Sequence, residues 1–297
     1  MNRNIKDMIV EALTGLSVLL IIFIIISILA VTIAGGWPKL SWSFLSEFPR
    51  DGMTKGGIFP AIVGTALMTL IMAVAAVPFG VITAIYLAEY ANEKSVFAKT
   101  IRFAVKTLAV VPSIIFGLFG LGFFIGFIGK NMDAVFSGGE LKWGQPNILW
   151  ASLTMALLTL PVVIVSVEEA IKTIPREMRE ASLALGATKW QTIKKVVIPG
   201  SVSGIMTGTI LAISRGAGEV APILFTGAAY FLADIPKSFT DQFMSLGYHI
   251  YIMSTQSSNV DETLPIQFAT TLVLLLLTFS LNAIAVTLRY RIKKKSK

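Results

Sequence analysis

Polar residues gather in short clusters along this chain, and between them lie six apolar runs: Ile9 to Ile33, Ile58 to Ala88, Ile101 to Ile128, Ile148 to Ile171, Gly200 to Ala229 and Ile266 to Leu288. A helix needs about 20 mostly apolar residues to cross a bilayer, and each run is long enough. The first follows Arg3 and Lys6 as the core of a signal peptide would, but it is longer than such a core and reads as a retained helix. Pro78, Pro112 and Pro161 fall in or near spans, where each frees carbonyls that protein or a water-filled cavity must satisfy. Gly117, Gly120, Gly122, Gly126 and Gly129 in the third run, and Gly200, Gly204 and Gly208 in the fifth, are small residues that let helix backbones approach. The segment from Phe231 to Pro265 carries Phe239, Phe243, Leu246, Ile250 and Met253 near helical spacing, which predicts a surface or re-entrant helix.

One polar cluster is patterned differently. From Glu168 to Pro199 the residues favour helix, with Ile174, Met178, Ala181 or Ser182, and Leu185 on one face and Arg176, Glu177, Arg179 and Glu180 on the others. Gly186 suits the end of that helix, and Thr188 can cap a second short one carrying Trp190, Ile193 and Val197. Pro199 marks the start of the fifth span.

Composition narrows the class. The 297 residues are 55% hydrophobic and 14% charged, with a mean hydropathy of +0.76, whereas soluble domains carry about 25% charged residues. The net charge of +8 sits in segments flanking the spans, which argues for a membrane and against nucleic acid. Arg3, Lys6, Lys94, Lys99, Arg102, Lys106, Lys172, Arg176, Arg179, Lys189, Lys194, Lys195, Arg289, Arg291, Lys293, Lys294, Lys295 and Lys297 fall on one side. The positive-inside rule makes that side cytoplasmic, with both termini inside. Trp37, Trp42, Trp143 and Trp150 mark the opposite interface, where His249 reads as a surface or interface residue and Asp133 as one of several wetting acids. With no cysteine there are no disulfides or thiolate sites, and the acids show no metal-ligand spacing. No phosphate-binding Gly-x-x-x-x-Gly-Lys-Ser/Thr loop is present, so the chain does not hydrolyse ATP by that route.

Ser214 to Pro222 places charge inside a span. Arg215 lies about 15 residues past the start of the fifth run, near the midplane at about 1.5 Å per residue, with Glu219 one turn on. An arginine there costs about 2.5–3.5 kcal/mol on insertion scales and reads as functional. A planar guanidinium suits a tetrahedral oxyanion, and Gly216 and Gly218 leave backbone open to an anion or an opposing helix. The residues alone reach an anion path and leave the anion open.

Glu180-Ala181-Ser182, Gly186 and Val196-Val197-Ile198-Pro199 resemble, gap for gap, the Glu-Ala-Ala, Gly and Ile-x-Leu-Pro landmarks of ABC-importer permeases. Arg215 to Leu224, Ala84 to Tyr90, Val111 to Gly117 and Glu168 to Ala170 are similar to the corresponding segments of the PstA-type phosphate permeases. The resemblance implies an all-α type I (MetI-like) permease of six transmembrane helices. It implies one transmembrane domain over 1–297, with a core near 58–290 and a coupling loop near 172–199. It further implies a prokaryotic plasma-membrane location, phosphate as cargo, and no catalysis or cofactor in this chain. ATP and Mg would be bound by a partner ATPase dimer, beside a PstC-like second permease and an extracytoplasmic phosphate-binding protein. Glu180, Ala181 and Gly186 would contact the ATPase, Arg176 and Arg179 would affect coupling, and Arg215 and Glu219 would line the path. A molybdate or sulfate permease is the nearest alternative; an ATP-independent channel or secondary transporter is a more distant one.

Overall fold

The computed structural model describes residues 5–92, 94–136, 138–232, 234–257 and 260–295. Arg3 and Lys297 lie outside the described residues, as do the side chains of Lys6, Lys293, Lys294 and Lys295. The chain begins with α1 (Ile5–Gly36), α2 (Trp42–Ser46) and a two-residue hairpin, β1 (Pro49–Arg50) against β2 (Lys55–Gly56). Then come α3 (Phe59–Ile85), widened by a π-type turn at Tyr86–Tyr90, and α4 (Val96–Val110). α5 (Ser113–Phe119) winds through Gly120–Gly129 into α6 (Lys130–Phe136), and α7 is Ile148–Lys172. α8 (Arg176–Ala184) and α9 (Lys189–Thr192) follow, the latter running through a π-type turn at Ile193–Val197 into α10 (Ile198–Gly218). α11 (Ile223–Thr226), α12 (Leu246–Thr255) and α13 (Val260–Lys295) complete the chain.

Among the described residues, six helical runs are long and apolar enough to cross a membrane: Asp7–Lys39, Phe59–Tyr90, Ser113–Phe136, Ile148–Lys172, Lys189–Gly218 and Asp261–Arg291. The architecture is the all-α, six-span one that the pattern predicts. α7 is its axis. Ala151, Met155, Leu158, Val163, Ile164, Val167 and Ile171 are buried along it, between α3 and α10 with α4 alongside. α1 instead exposes Ile22, Phe23, Ile25 and Ile28 among its many apolar residues and meets α13 where Gly35 and Gly36 face Phe268 and Ala269. A helix apolar all round and bare on most sides is built to face lipid.

Two spans depart from the expected boundaries. The run from Ile101 to Ile128 is not one helix: Val111 (ψ 131°) and Pro112 (ψ 138°) are extended, separating α4 from α5. Proline lacks an N–H and disfavours helix in the residue before it, so the break falls there. The fifth span starts earlier and ends earlier than Gly200 to Ala229. Pro199 does not interrupt it, because the preceding π-type turn takes up the residue that cannot donate. Its end is Gly218, after which Glu219 is extended (ψ 138°) and Pro222 follows.

Packing sets the depth of these breaks. A Cβ on Gly200 would meet Ile174, on Gly204 Ala170, and on Gly208 Ser166. α10 therefore runs antiparallel to α7 in a fixed register, which brings Arg215 level with Thr159, midway along Ile148–Lys172. Arg102 on α4 pairs with Glu168 at 3.0 Å, and eight residues on, the α4 break comes level with the same middle. Gly117 just beyond it packs on Pro222. Both interruptions thus lie at mid-depth; Gly117 beside them is buried, while Val110, Pro112 and Gly218 at the breaks themselves are exposed.

The outer segments hold three more departures. Helix forms at Leu246–Thr255 only; Phe239 and Phe243 precede it in irregular chain, with Phe243 buried in a bridge to Ala228. α12 packs on α13 and α3, and His249 is buried rather than at the surface, its Nδ1 3.4 Å from Thr270 Oγ1. Asp133 is likewise buried, its carboxylate accepting the N–H groups of Lys142, Trp143 and Gly144 at 2.6–3.0 Å. It clasps an external loop rather than wetting it.

Candidate functional site

Helix from Glu168 is interrupted at Thr173–Pro175, where extended Pro175 (ψ 143°) leaves Ile174 outside α8. Beyond that break the segment to Pro199 folds as the residue pattern predicts, and the reason is legible at each joint. Gly186 takes φ +85°, a conformation that costs other residues about 1–2 kcal/mol. That lets Gly186 N–H donate to Leu183 O at 2.9 Å and Ala187 N–H to Ser182 O at 3.2 Å, the paired bonds that close a helix end. Thr188 then opens α9 with a capping box, its side chain accepting from Gln191 N–H while Gln191 Oε1 accepts from Thr188 N–H at 2.8 Å. Ser182 and Thr192 hydroxyls meet at 2.9 Å and join the two helices.

Arg179 anchors this loop to the bundle. Its Nε donates to Glu89 Oε1 at 3.0 Å, and its Nη atoms donate to the carbonyls of Ile171 in α7, at 2.8 Å, and of Ile174 just past its end. The pair is mostly buried, at 19% and 10% side-chain exposure. Arg179 therefore faces its own chain, and with Glu89, Arg176 and Glu180 it lines a cavity of about 540 Å³. Glu180, Ala181 and Gly186 are exposed, beside Met178, Leu183, Trp190 and a 90% exposed Leu185. Apolar side chains held out from so polar a helix are unfinished contacts. Below the loop, Glu168 lies 3.0 Å from Arg102 and 3.2 Å from Lys172, a charge pairing without aligned hydrogen bonds.

At mid-depth, Arg215 Nε lies 3.5 Å from Glu219 Oε1, with the side chains 42% and 23% exposed. Because α10 ends at Gly218, this is not a pair on one helical face; the extended chain folds Glu219 back beside the guanidinium. Gly216 and Gly218 separate in role. A Cβ on Gly216 would lie 2.2 Å from Met72 Sδ, so this glycine admits α3, while Gly218 has open space and stays exposed. Thr207, Leu211, Arg215 and Gly218 form one exposed stripe along α10.

Sequence reasoning passed over two α13 residues that meet α10. Asn282 Nδ2 donates to Ser214 Oγ at 2.8 Å, next to Arg215, and its Oδ1 is buried without a hydrogen-bond partner. Arg289 donates to the hydroxyls of Thr207 and Ser203. The signal for Asn282 is an amide deep in the last apolar run, where the other amide, Gln267, sits at its outer end; residue order marks Arg289 only as part of the basic flank.

The family described as binding-protein-dependent transport system inner membrane components matches residues 76–294. The chain is 30% identical over 295 residues to the probable ABC transporter permease protein YqgI of Bacillus subtilis, covering 95% of each chain. It is 38% identical over 226 residues to the phosphate transport system permease protein PstA of Yersinia pestis, covering 75% of this chain and 71% of that one. Among solved structures, a chain of a bacterial alginate ABC transporter in complex with an alginate-pentasaccharide-bound periplasmic protein superposes with a TM-score of 0.70 at 14% identity. That match covers 97% of this chain and 96% of the other, a likeness of fold alone.

Proposed function

Because the chain belongs to the family of binding-protein-dependent transport system inner membrane components, it is a multi-pass permease subunit of an ABC importer, and we propose that its cargo is inorganic phosphate. As a permease it is a transport component and not catalytic in itself. The observation that carries the cargo reading is Arg215: a guanidinium at mid-depth, partly exposed, whose one carboxylate neighbour among the described residues is Glu219 at 3.5 Å. A tetrahedral oxyanion can take the remaining fork of donors. Relatives named as phosphate permeases support the same cargo.

In this reading the loop face is cytoplasmic and both termini lie on it, in keeping with the basic residues there. Glu180, Ala181, Gly186 and the exposed apolar side chains around them dock into one copy of a separate ATPase dimer, which binds ATP and Mg. A PstC-like second permease closes the exposed α10 stripe into a path, and an extracytoplasmic binding protein delivers phosphate to the opposite face. From Lys189 to Arg215 the winding is unbroken, so a push on the loop reaches Arg215 through one rigid element. Arg176 adjusts docking, while Arg179 transmits the push to α3 and α7.

The test is uptake by the complete transporter in vesicles containing ATP. Wild type should take up phosphate and ignore sulfate and molybdate, and Arg215→Ala should abolish uptake with the complex still assembled. Uptake of sulfate instead of phosphate would overturn the cargo. Flux without ATP would overturn the mechanism, and retained phosphate uptake by Arg215→Ala would remove that residue from the path.

A further inference from the structure

We propose that Arg289, seated on Ser203 and Thr207, is a second oxyanion station at the loop-side mouth of the path. Arg289 Nη1 donates to Thr207 Oγ1 at 3.2 Å and its Nη2 to Ser203 Oγ. Thr207 in turn donates to Ser203 O at 2.8 Å, which fixes the oxygen that receives the guanidinium. Of the five N–H donors of a guanidinium, those bonds leave Nε–H and one hydrogen on each Nη. Among the described residues no carboxylate pairs with Arg289, in contrast to Arg102, Arg179 and Arg215.

Position distinguishes this arginine from an ordinary interfacial anchor. An anchor extends its charge toward lipid headgroups; Arg289 turns its charge sideways onto the neighbouring α10. Thr207 belongs to the exposed stripe that ends at Arg215 and Gly218. Two helical turns separate Thr207 from Arg215, about 12 Å along the axis, and the α10 register brings Ser203 level with Ile171, at the loop end of α7. An anion leaving mid-depth thus finds the next uncommitted cation one step closer to the loop face. Several weak sites in series are what passage requires, since a single tight one would hold its cargo. The neutral hydroxyls position the charge without cancelling it.

This inference rests on the oxyanion reading of Arg215 but not on which oxyanion is carried. The experiment is uptake by the full transporter in vesicles with ATP, using whichever of phosphate, sulfate or molybdate wild type carries. Arg289→Gln should slow uptake by roughly tenfold or more, the scale of one lost charge-assisted hydrogen bond. Its assembly and its binding-protein-stimulated ATP hydrolysis should persist. Arg289→Gln/Thr207→Arg, which returns a cation to the same place from the other helix, should recover most of the rate; a purely structural role for Arg289 predicts no such rescue. Uptake at the wild-type rate by Arg289→Gln, or failure of the relocated charge to rescue, would overturn the proposal. Transport of sulfate rather than phosphate by wild type would overturn only the cargo, and transport of no oxyanion would overturn both readings.

Discussion

Replacing Arg179 by glutamine removes the cation that ties the α8–α9 loop to two membrane helices. Its partner Glu89 is 10% exposed and has no other ion pair among the described residues. Removing one member of a buried pair costs about 3–5 kcal/mol, because the other charge is left desolvated and alone. The 19% exposure of Arg179 gives water some access, which places Arg179→Gln near the lower end, at about 3 kcal/mol. Glu89→Gln should cost less, about 1–2 kcal/mol, because Arg179 keeps its bonds to the carbonyls of Ile171 and Ile174. The double variant no longer contains a stranded charge, so its loss should fall short of the sum by roughly 1–3 kcal/mol. Denaturant unfolding in detergent micelles measures all three, and vesicle uptake against ATP consumed measures coupling. Arg179→Gln should hydrolyse ATP while moving less cargo per ATP, since a push on α8 would no longer reach α3 and α7 directly. Strict additivity of the two substitutions, or unchanged cargo per ATP in Arg179→Gln, would refute the tether.

Two further outcomes follow from burial. Gly204→Leu should sharply reduce folded protein in the membrane, because even a Cβ there would sit 2.0 Å from the Ala170 Cβ; overpacking costs about 1–3 kcal/mol per site, and normal yield and melting would contradict the packing register. His249, on the non-spanning helix α12, has its pKa lowered to about 4 by burial. The unfolded chain then binds a proton that the folded one refuses, so this stability is full above about pH 6.5 and is lost as pH falls toward 4. The total is on the order of 3 kcal/mol. Thermal unfolding in detergent across that range should show the fall, and His249→Gln should flatten it; an identical slope in the variant would contradict the assignment.

The apolar runs, the basic face, the loop with its Gly186 and Thr188 joints, and a charged pair at mid-depth are all readable from residue order. Each rests on local physics: span length, helix capping, backbone sterics, and the cost of charge in hydrocarbon. The reading failed where a distant neighbour decides. Pro112 looks like a kink within a helix, but the chain breaks there, and the piece that follows is set by packing of Gly117 on Pro222, more than a hundred residues away. His249 and Asp133 looked like surface groups because nothing adjacent in sequence buries them; α13 and the Lys142–Gly144 backbone do. Residue order marks Arg179 only as a loop cation; that its guanidinium lies on Glu89, ninety residues away, is set by folding. Gly216 and Gly218 are the same residue type two positions apart, yet only tertiary packing assigns one to a helix contact and the other to open space. Periodicity and composition thus determined that this chain spans a membrane and carries a polar two-helix loop between its fourth and fifth spans. Which charges are spent inside the bundle, and which remain free to meet an anion or a partner, depended on contacts that only the folded chain creates.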